Sequence, residues 1–261
     1  MIRTISTFVV WAVLTGAALA FGPDDFAGAD VVILGERHDN PVHHEIQARA
    51  VAMISPAAIV WEMMVPEQAA LVDPALGAAE QGALLGWEEA GWPDFSMYHP
   101  IMASAPGARH YGAAVPRAAA RAVIEGDVTD HFPEPILFGL DAALPTPEQA
   151  ARNQMQFDAH CGMLPPDLIP DMVDVQRLRD ATLANVAIEA WRETGGPVVI
   201  ITGNGHARAD WGVPRFLARA APDAVVITLG QGEGGVMPEG GFDILRDAPT
   251  IERPDPCGAL R

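Results

Sequence analysis

Lysine is absent from this chain; all 16 basic residues are arginine. That absence excludes chemistry built on a primary amine: a Schiff base, a phosphate-loop lysine or a Ser–Lys dyad. Anionic groups on a ligand must be met by Arg, His or backbone N–H. Only four serines occur, and none stands in G-x-S-x-G, so the nucleophile elbow of α/β-hydrolases is missing. Cysteine is limited to Cys161 and Cys257. They form no C-x-x-C, which removes thiol redox motifs and zinc ribbons, and there is no C-x-x-C-H for covalent haem. An oxidising compartment would permit a bridge between them, but spacing leaves the pairing open. There is no H-E-x-x-H. Acidic residues number 34 and the net charge is −18, which makes nucleic acid a poor partner. Gly230-Gln231-Gly232-Glu233-Gly234-Gly235 spells G-x-G-x-x-G, yet no helical pattern opens after it, so dinucleotide binding is not expected.

Long apolar runs are also few. Arg3 precedes one, Phe8–Leu19, which ends at Ala18-Leu19-Ala20. It has the form of a secretory signal peptide and is short for a membrane span. Residues 1–20 are therefore set aside, and residues 21–261 are read as one mature domain. No Leu-x-x-Cys follows, so lipid attachment and a lasting membrane anchor are not expected. The expected location is the periplasm.

Two segments repeat one small design, Gly35-Glu36-Arg37-His38 and Gly203-Asn204-Gly205-His206, each directly after a β-branched run. Such runs bounded by Gly indicate buried strands. Strands are expected at Val31–Leu34, Ala58–Glu62, Tyr111–Val115, Pro197–Thr202 and Ala224–Leu229. Between them the pattern predicts a helix from Asn40-Pro41 to Ile54, a short helix at Pro66–Val72, and short helices or a flap over 73–97. Residues 130–146 read as a long crossing loop. Thr146-Pro147-Glu148-Gln149 forms a capping box for a helix to His160, and a longer helix runs from Leu168 to Thr194. A further helix follows Gly212-Val213-Pro214, and the Gly- and Pro-rich tail shows no clear element. Alternating strands and helices give the expected fold: a single α/β domain, with a mostly parallel sheet covered by helices on both faces.

Ligands bind beyond the carboxyl ends of such strands. The strand ends offer Glu36, Arg37 and His38, then Glu62, then Arg117, then Asn204, His206 and Arg208. Two carboxylates and two imidazoles on one rim can ligate a divalent metal, or divide into a base and an orienting acid. They can also merely cap helices and satisfy one another. Of His43 and His44, adjacent on a helix, at most one can face the rim. His99, His110, His131 and His160 have no defensible partner spacing. Tyr98 is a possible hard-oxygen iron ligand. Met63, Met64, Met97 and Met102, with Trp61, Trp87 and Trp92, could line a site for a flat ligand or form ordinary core.

Leu34-Gly35-Glu36-Arg37-His38-Asp39-Asn40-Pro41, with His43-His44 and Gln47, resembles the opening motif of the ChaN family. Similar blocks follow in register: Tyr98-His99-Pro100, Val115-Pro116-Arg117, His160-Cys161-Gly162, Gln176-Arg177-Leu178-Arg179-Asp180, and Thr202 through Asp210 with Gly212-Val213-Pro214. The resemblance covers roughly residues 30–230. It implies a haem-binding protein of iron uptake, with a tyrosine ligand and a dimer holding two stacked haems. Tyr98 is the position that best matches such a ligand. Arg37, Arg117, Asn204 and Arg208 would serve the rest of the haem. The wider superfamily implies an alternative, a metal-dependent hydrolase. Its Tiki branch would use His38, His206 and Glu62 as ligands for Mn, Co or Zn, and its erythromycin-esterase-like branch would use Glu36 and His38. Many family members are lipoproteins; the missing lipid-attachment cysteine here favours a soluble form.

Overall fold

The computed structural model describes residues 21–22, 24–255 and 257–258. The expected signal peptide lies outside the described residues.

Six strands form one parallel sheet: β1 (Val31–Glu36), β2 (Ala58–Trp61), β3 (Arg109–Gly112), β4 (Val198–Gly203), β5 (Val226–Glu233) and β6 (Ile244–Ala248), in the order β3-β2-β4-β1-β5-β6. The two central strands are those with continuous β-branched runs. In β1, Val31 and Ile33 join the core on one face, and Val32 and Leu34 join the core on the other. In β4, Val198 and Ile200 divide from Val199 and Ile201 in the same way. This period of two, with both sets fully buried, is what a sheet covered on both faces demands. Each such side chain contributes about 1.5–3 kcal/mol by leaving water. One face is covered by the helix Ile169–Thr194, whose Leu178, Ala181, Leu183, Ala184 and Ala187 enter that core. The other is covered by the helix Pro41–Ile54 through Ile46, Ala50 and Val51.

Local chemistry sets the boundaries. The Asn40 side chain caps Pro41–Ile54 by accepting from the Val42 N–H at 3.0 Å. Gly195, at φ +80°, ends the long helix in the left-handed conformation that glycine adopts freely. Among the described residues no helix is long and apolar enough to cross a membrane.

Five expectations need correction. The third strand is Arg109–Gly112, not Tyr111–Val115: it pairs with β2 from Arg109 opposite Ala58 to Gly112 opposite Trp61, and Gly112 passes so close to Val65 that a Cβ there would collide. Arg117 opens a helix, Arg117–Glu125, that the sequence pattern did not announce. The span 130–146 is not all loop, since it contains the helical turn Pro135–Phe138. The tail supplies β6, whose half-exposed Leu245, Arg246 and Asp247 hide the usual apolar run of a strand. The G-x-G-x-x-G is the end of β5 and its exit turn, with Gly234 and Gly235 at φ +59° and +85°. The Thr146 side chain makes no cap bond, although the helix Thr146–Ala159 begins there. Cys161 and Cys257 form a disulfide, with Cα atoms 5.6 Å apart.

Candidate functional site

Because all six strands are parallel, β1, β2 and β4 end on one rim. Glu36 is the last residue of β1, Glu62 follows β2, and β4 runs into the short turn Asn204–Ala207 that carries His206. The two G-x-x-H segments meet there. Gly203 is needed for the approach: a Cβ at that position would stand 3.2 Å from His38 Nε2.

The acids and imidazoles form a chain. His38 Nδ1 is 2.6 Å from Glu36 Oε1, and His38 Nε2 stands 3.9 Å from Glu62 Oε1. His206 Nε2 is 3.5 Å from that same oxygen, while His206 Nδ1 is 2.6 Å from Asp180 Oδ1. The other Glu62 oxygen accepts from the Thr202 hydroxyl at 2.6 Å and the Gly203 N–H at 2.8 Å. Burial alone would push Glu36 up, but hydrogen bonds from His38 and His44 hold it down at about 2. Burial would push His38 down, yet its hydrogen bond to Glu36 and the Glu62 charge raise it to about 9. His206 is also raised, with Glu62 and Asp180 overcoming its burial. Glu62 is lowered because the charges of His206 and His38, with its two hydrogen bonds, outweigh its burial. Asp180 is raised by burial, partly offset by His206. At neutral pH the chain therefore holds a charged His38 against ionised Glu36 and Glu62.

This rim is the floor of a cavity of about 810 Å³. Arg152, Met155, Gln156 and Ala159 supply one wall, at the spacing of one face of the helix Thr146–Ala159; His160, at that helix's end, completes it. A second wall is Val173, Gln176, Arg179 and Asp180, one face of the long helix. Trp92 and Trp211 also line the cavity, with Trp92 edge-on to His38 at 5.0 Å between ring centres. Arg179 reaches the cavity with no carboxylate partner among the ion pairs of the described residues, and its charge acts on His206.

The structure sorts the expected residues. Glu36, His38, Glu62 and His206 converge, as does Asn204. Both polar atoms of the Asn204 side chain are nevertheless spent on the Gln231 backbone, at 2.8 and 3.0 Å, so it clamps β4 to β5. Arg37 is 55% exposed at the mouth, 3.5 Å from Glu233. Arg117 is exposed on its own helix and is not on the cavity wall. Arg208 is also absent from the wall; Asp210 binds it at 2.6 and 2.8 Å and its guanidinium lies 3.6 Å over Trp211. Tyr98 is fully buried and donates to Glu36 Oε1 at 3.0 Å, so its oxygen supports the acid from behind and does not face the cavity. Of the Met and Trp set only Trp92 lines the cavity; Met63, Met64, Met102, Trp61 and Trp87 are core. His43 and His44 are both buried: His43 bonds the Arg37 N–H and the Gly232 carbonyl, and His44 bonds the His38 carbonyl.

Among the described residues no group of three or more His, Cys, Asp or Glu is disposed to hold a metal ion. The expected set of His38, Glu62 and His206 does not form such a centre. Each imidazole is tied at Nδ1 to a carboxylate and turns its Nε2 toward one shared Glu62 oxygen. The residues that sequence reasoning missed are Asp180, Arg179, Arg152, Trp211 and His160. The spacing of Val173, Gln176 and Asp180 on a long helix was the available signal for the first two.

A family model described as haem-binding uptake, Tiki superfamily, ChaN, matches residues 23–217. Among solved structures the chain is similar to ChaN of Campylobacter jejuni, in a structure described as showing cofacial heme binding. The identity is 18% and the TM-score 0.60, over 80% of this chain and 83% of that one. It is also similar to the type III effector HopBA1, at 12% identity and a TM-score of 0.51, over 85% of this chain and 88% of the effector. At these identities the likeness is one of fold. No curated protein matches the chain in sequence.

Proposed function

Because this chain belongs to the haem-binding uptake family ChaN of the Tiki superfamily, we propose that it takes up haem in the strand-end cavity. The observation that carries the reading is Arg179. In a protein of net charge −18, an arginine kept on a cavity wall without a carboxylate partner suits an anionic ligand. The ligand must also be flat and largely apolar to use Trp92, Met155, Val173 and Trp211. Haem meets both demands, with an apolar macrocycle and two propionates. Arg179 and Arg37 receive the propionates, and the aromatic flanks exclude water from the ring.

The cargo role agrees with export. The Cys161–Cys257 disulfide suits an oxidising compartment, which supports the periplasm once residues 1–20 are removed. Mass spectrometry of the mature N-terminus in a periplasmic fraction checks this. Hemin titration followed by absorbance tests the central reading. Arg179→Gln removes one charged hydrogen bond of about 1.5 kcal/mol or more, so hemin affinity falls roughly tenfold or further. Unchanged affinity contradicts it.

A second reading is favoured by the Glu36–His38–Glu62–His206–Asp180 chain. In it the ionised Glu62 carboxylate can take the proton of a water that attacks the carbonyl, while charged His38 gives a proton to the departing oxygen, which suits ester or lactone hydrolysis. Steady cleavage of a simple ester that disappears in Glu62→Gln supports it; no cleavage above the buffer rate removes it.

A further inference from the structure

Three imidazoles stand on the cavity wall: His38, His206 and His160. They differ in what their nitrogens face. In His38 both nitrogens turn to carboxylate oxygens, Glu36 at 2.6 Å and Glu62 at 3.9 Å. His206 is held likewise by Asp180 at 2.6 Å and Glu62 at 3.5 Å. Neither Nε2 makes a hydrogen bond among those of the described residues, but each stands at ion-pair distance from the Glu62 carboxylate, so a metal bound there would give up that pairing, whereas no carboxylate faces Nε2 of His160 among the ion pairs of the described residues.

His160 is different. Its Nδ1 is 2.8 Å from the Gln156 carbonyl oxygen, an acceptor only, so Nδ1 is the protonated nitrogen and donates there. In the neutral ring this leaves the lone pair on Nε2, and no protein group takes it among the hydrogen bonds of the described residues. A backbone carbonyl fixing Nδ1–H while Nε2 stays open is the arrangement that orients a histidine toward a metal. The ring is also anchored. His160 ends the helix Thr146–Ala159, and the next residue, Cys161, is tied to Cys257 by the disulfide. Met155, Gln156 and Ala159 lie on the same wall, one helical face along from it.

The phenols offer no rival. Tyr98 is buried behind Glu36, and the Tyr111 hydroxyl donates to Glu193 at 2.8 Å on the exposed side of the sheet. We propose that His160 Nε2 is the atom of this protein that binds the haem iron. The assignment rests on the haem reading above and departs from the tyrosine ligand that the family resemblance implies.

Hemin titration of the disulfide-intact protein tests it, with absorbance and resonance Raman as readouts. The wild type is expected to show histidine-ligated haem, with an iron–histidine stretching band after reduction. In His160→Ala that band is lost and affinity falls at least tenfold, and added imidazole restores a nitrogen-ligated spectrum. His38→Ala keeps the band. A histidine band that survives in His160→Ala, or a ferric–phenolate spectrum in the wild type, overturns the ligand assignment while leaving haem binding intact. A wild type that binds no hemin overturns the haem reading and this assignment with it. Circular dichroism of His160→Ala, expected to match the wild type, separates loss of the ligand from loss of the fold.

Discussion

Glu62 is the residue on which the rim depends. One of its oxygens faces two imidazoles, and the other takes two hydrogen bonds from Thr202 and Gly203. Its charge is a main reason that His38 and His206 are raised. The consequence for pH has a definite sign. His38, lifted from 6.5 to about 9, contributes stability that is fully present below about pH 6.5 and is lost as pH rises through about 9. Glu36, lowered from 4.5 to about 2, contributes stability present above about 4.5 and lost as pH falls through about 2. Urea unfolding is therefore expected to show a plateau near pH 5–6.5 and a decline toward pH 9. In Glu62→Gln the alkaline decline flattens, and stability at pH 6 falls by about 2 kcal/mol as charged hydrogen bonds are lost. Parallel pH curves for the two proteins contradict this account. The rim acids and imidazoles were legible because each follows closely on an apolar run, Gly-bounded at His38 and His206. Asp180 and Arg179 carry no strand-end offset, since they come from the middle of a helix, 18 and 19 residues ahead of the start of the strand Val198–Gly203, and only folding delivers them to the rim.

At the scale of elements, burial decided what could be read. β1 and β4 are central and covered on both faces, so their composition announces them. β6 is an edge strand with one side in water, and nothing in Ile244–Ala248 distinguishes it from loop. The same tail is fastened at several points. Asn40 donates to the Pro249 carbonyl at 3.1 Å, Arg253 pairs with Asp39 and Glu233, and Cys257 is bonded to Cys161. Asp39 and His160 both line the cavity, so the tail links two parts of its wall. Closing a loop over a sequence separation of 96 is worth about 2–4 kcal/mol through the unfolded chain. Cys161→Ser is expected to lose that amount in chemical denaturation under oxidising conditions and to equal the wild type in excess reductant. Equal stability of the two proteins without reductant sinks the structural role of the bridge.

At the scale of the whole molecule, the fold class followed from alternation of strands and helices, and the rim followed from all strands running one way. The occupant of the cavity did not follow from pattern alone. Tyr98 looked like a ligand in the sequence because a phenol beside a flexible segment is a plausible iron donor; three-dimensional packing instead put its hydroxyl behind Glu36. Arg152 and Arg179 reach the wall from two successive helices, in a protein that is strongly acidic as a whole. The central claim is that this cavity is where haem sits, and blocking it is the most direct measurement. Ala159 lines the cavity. A hemin titration of the wild type is expected to saturate, and Ala159→Trp, with an unchanged melting temperature, is expected to lose binding. Equal hemin affinity in the two proteins would place the haem elsewhere and contradict the account.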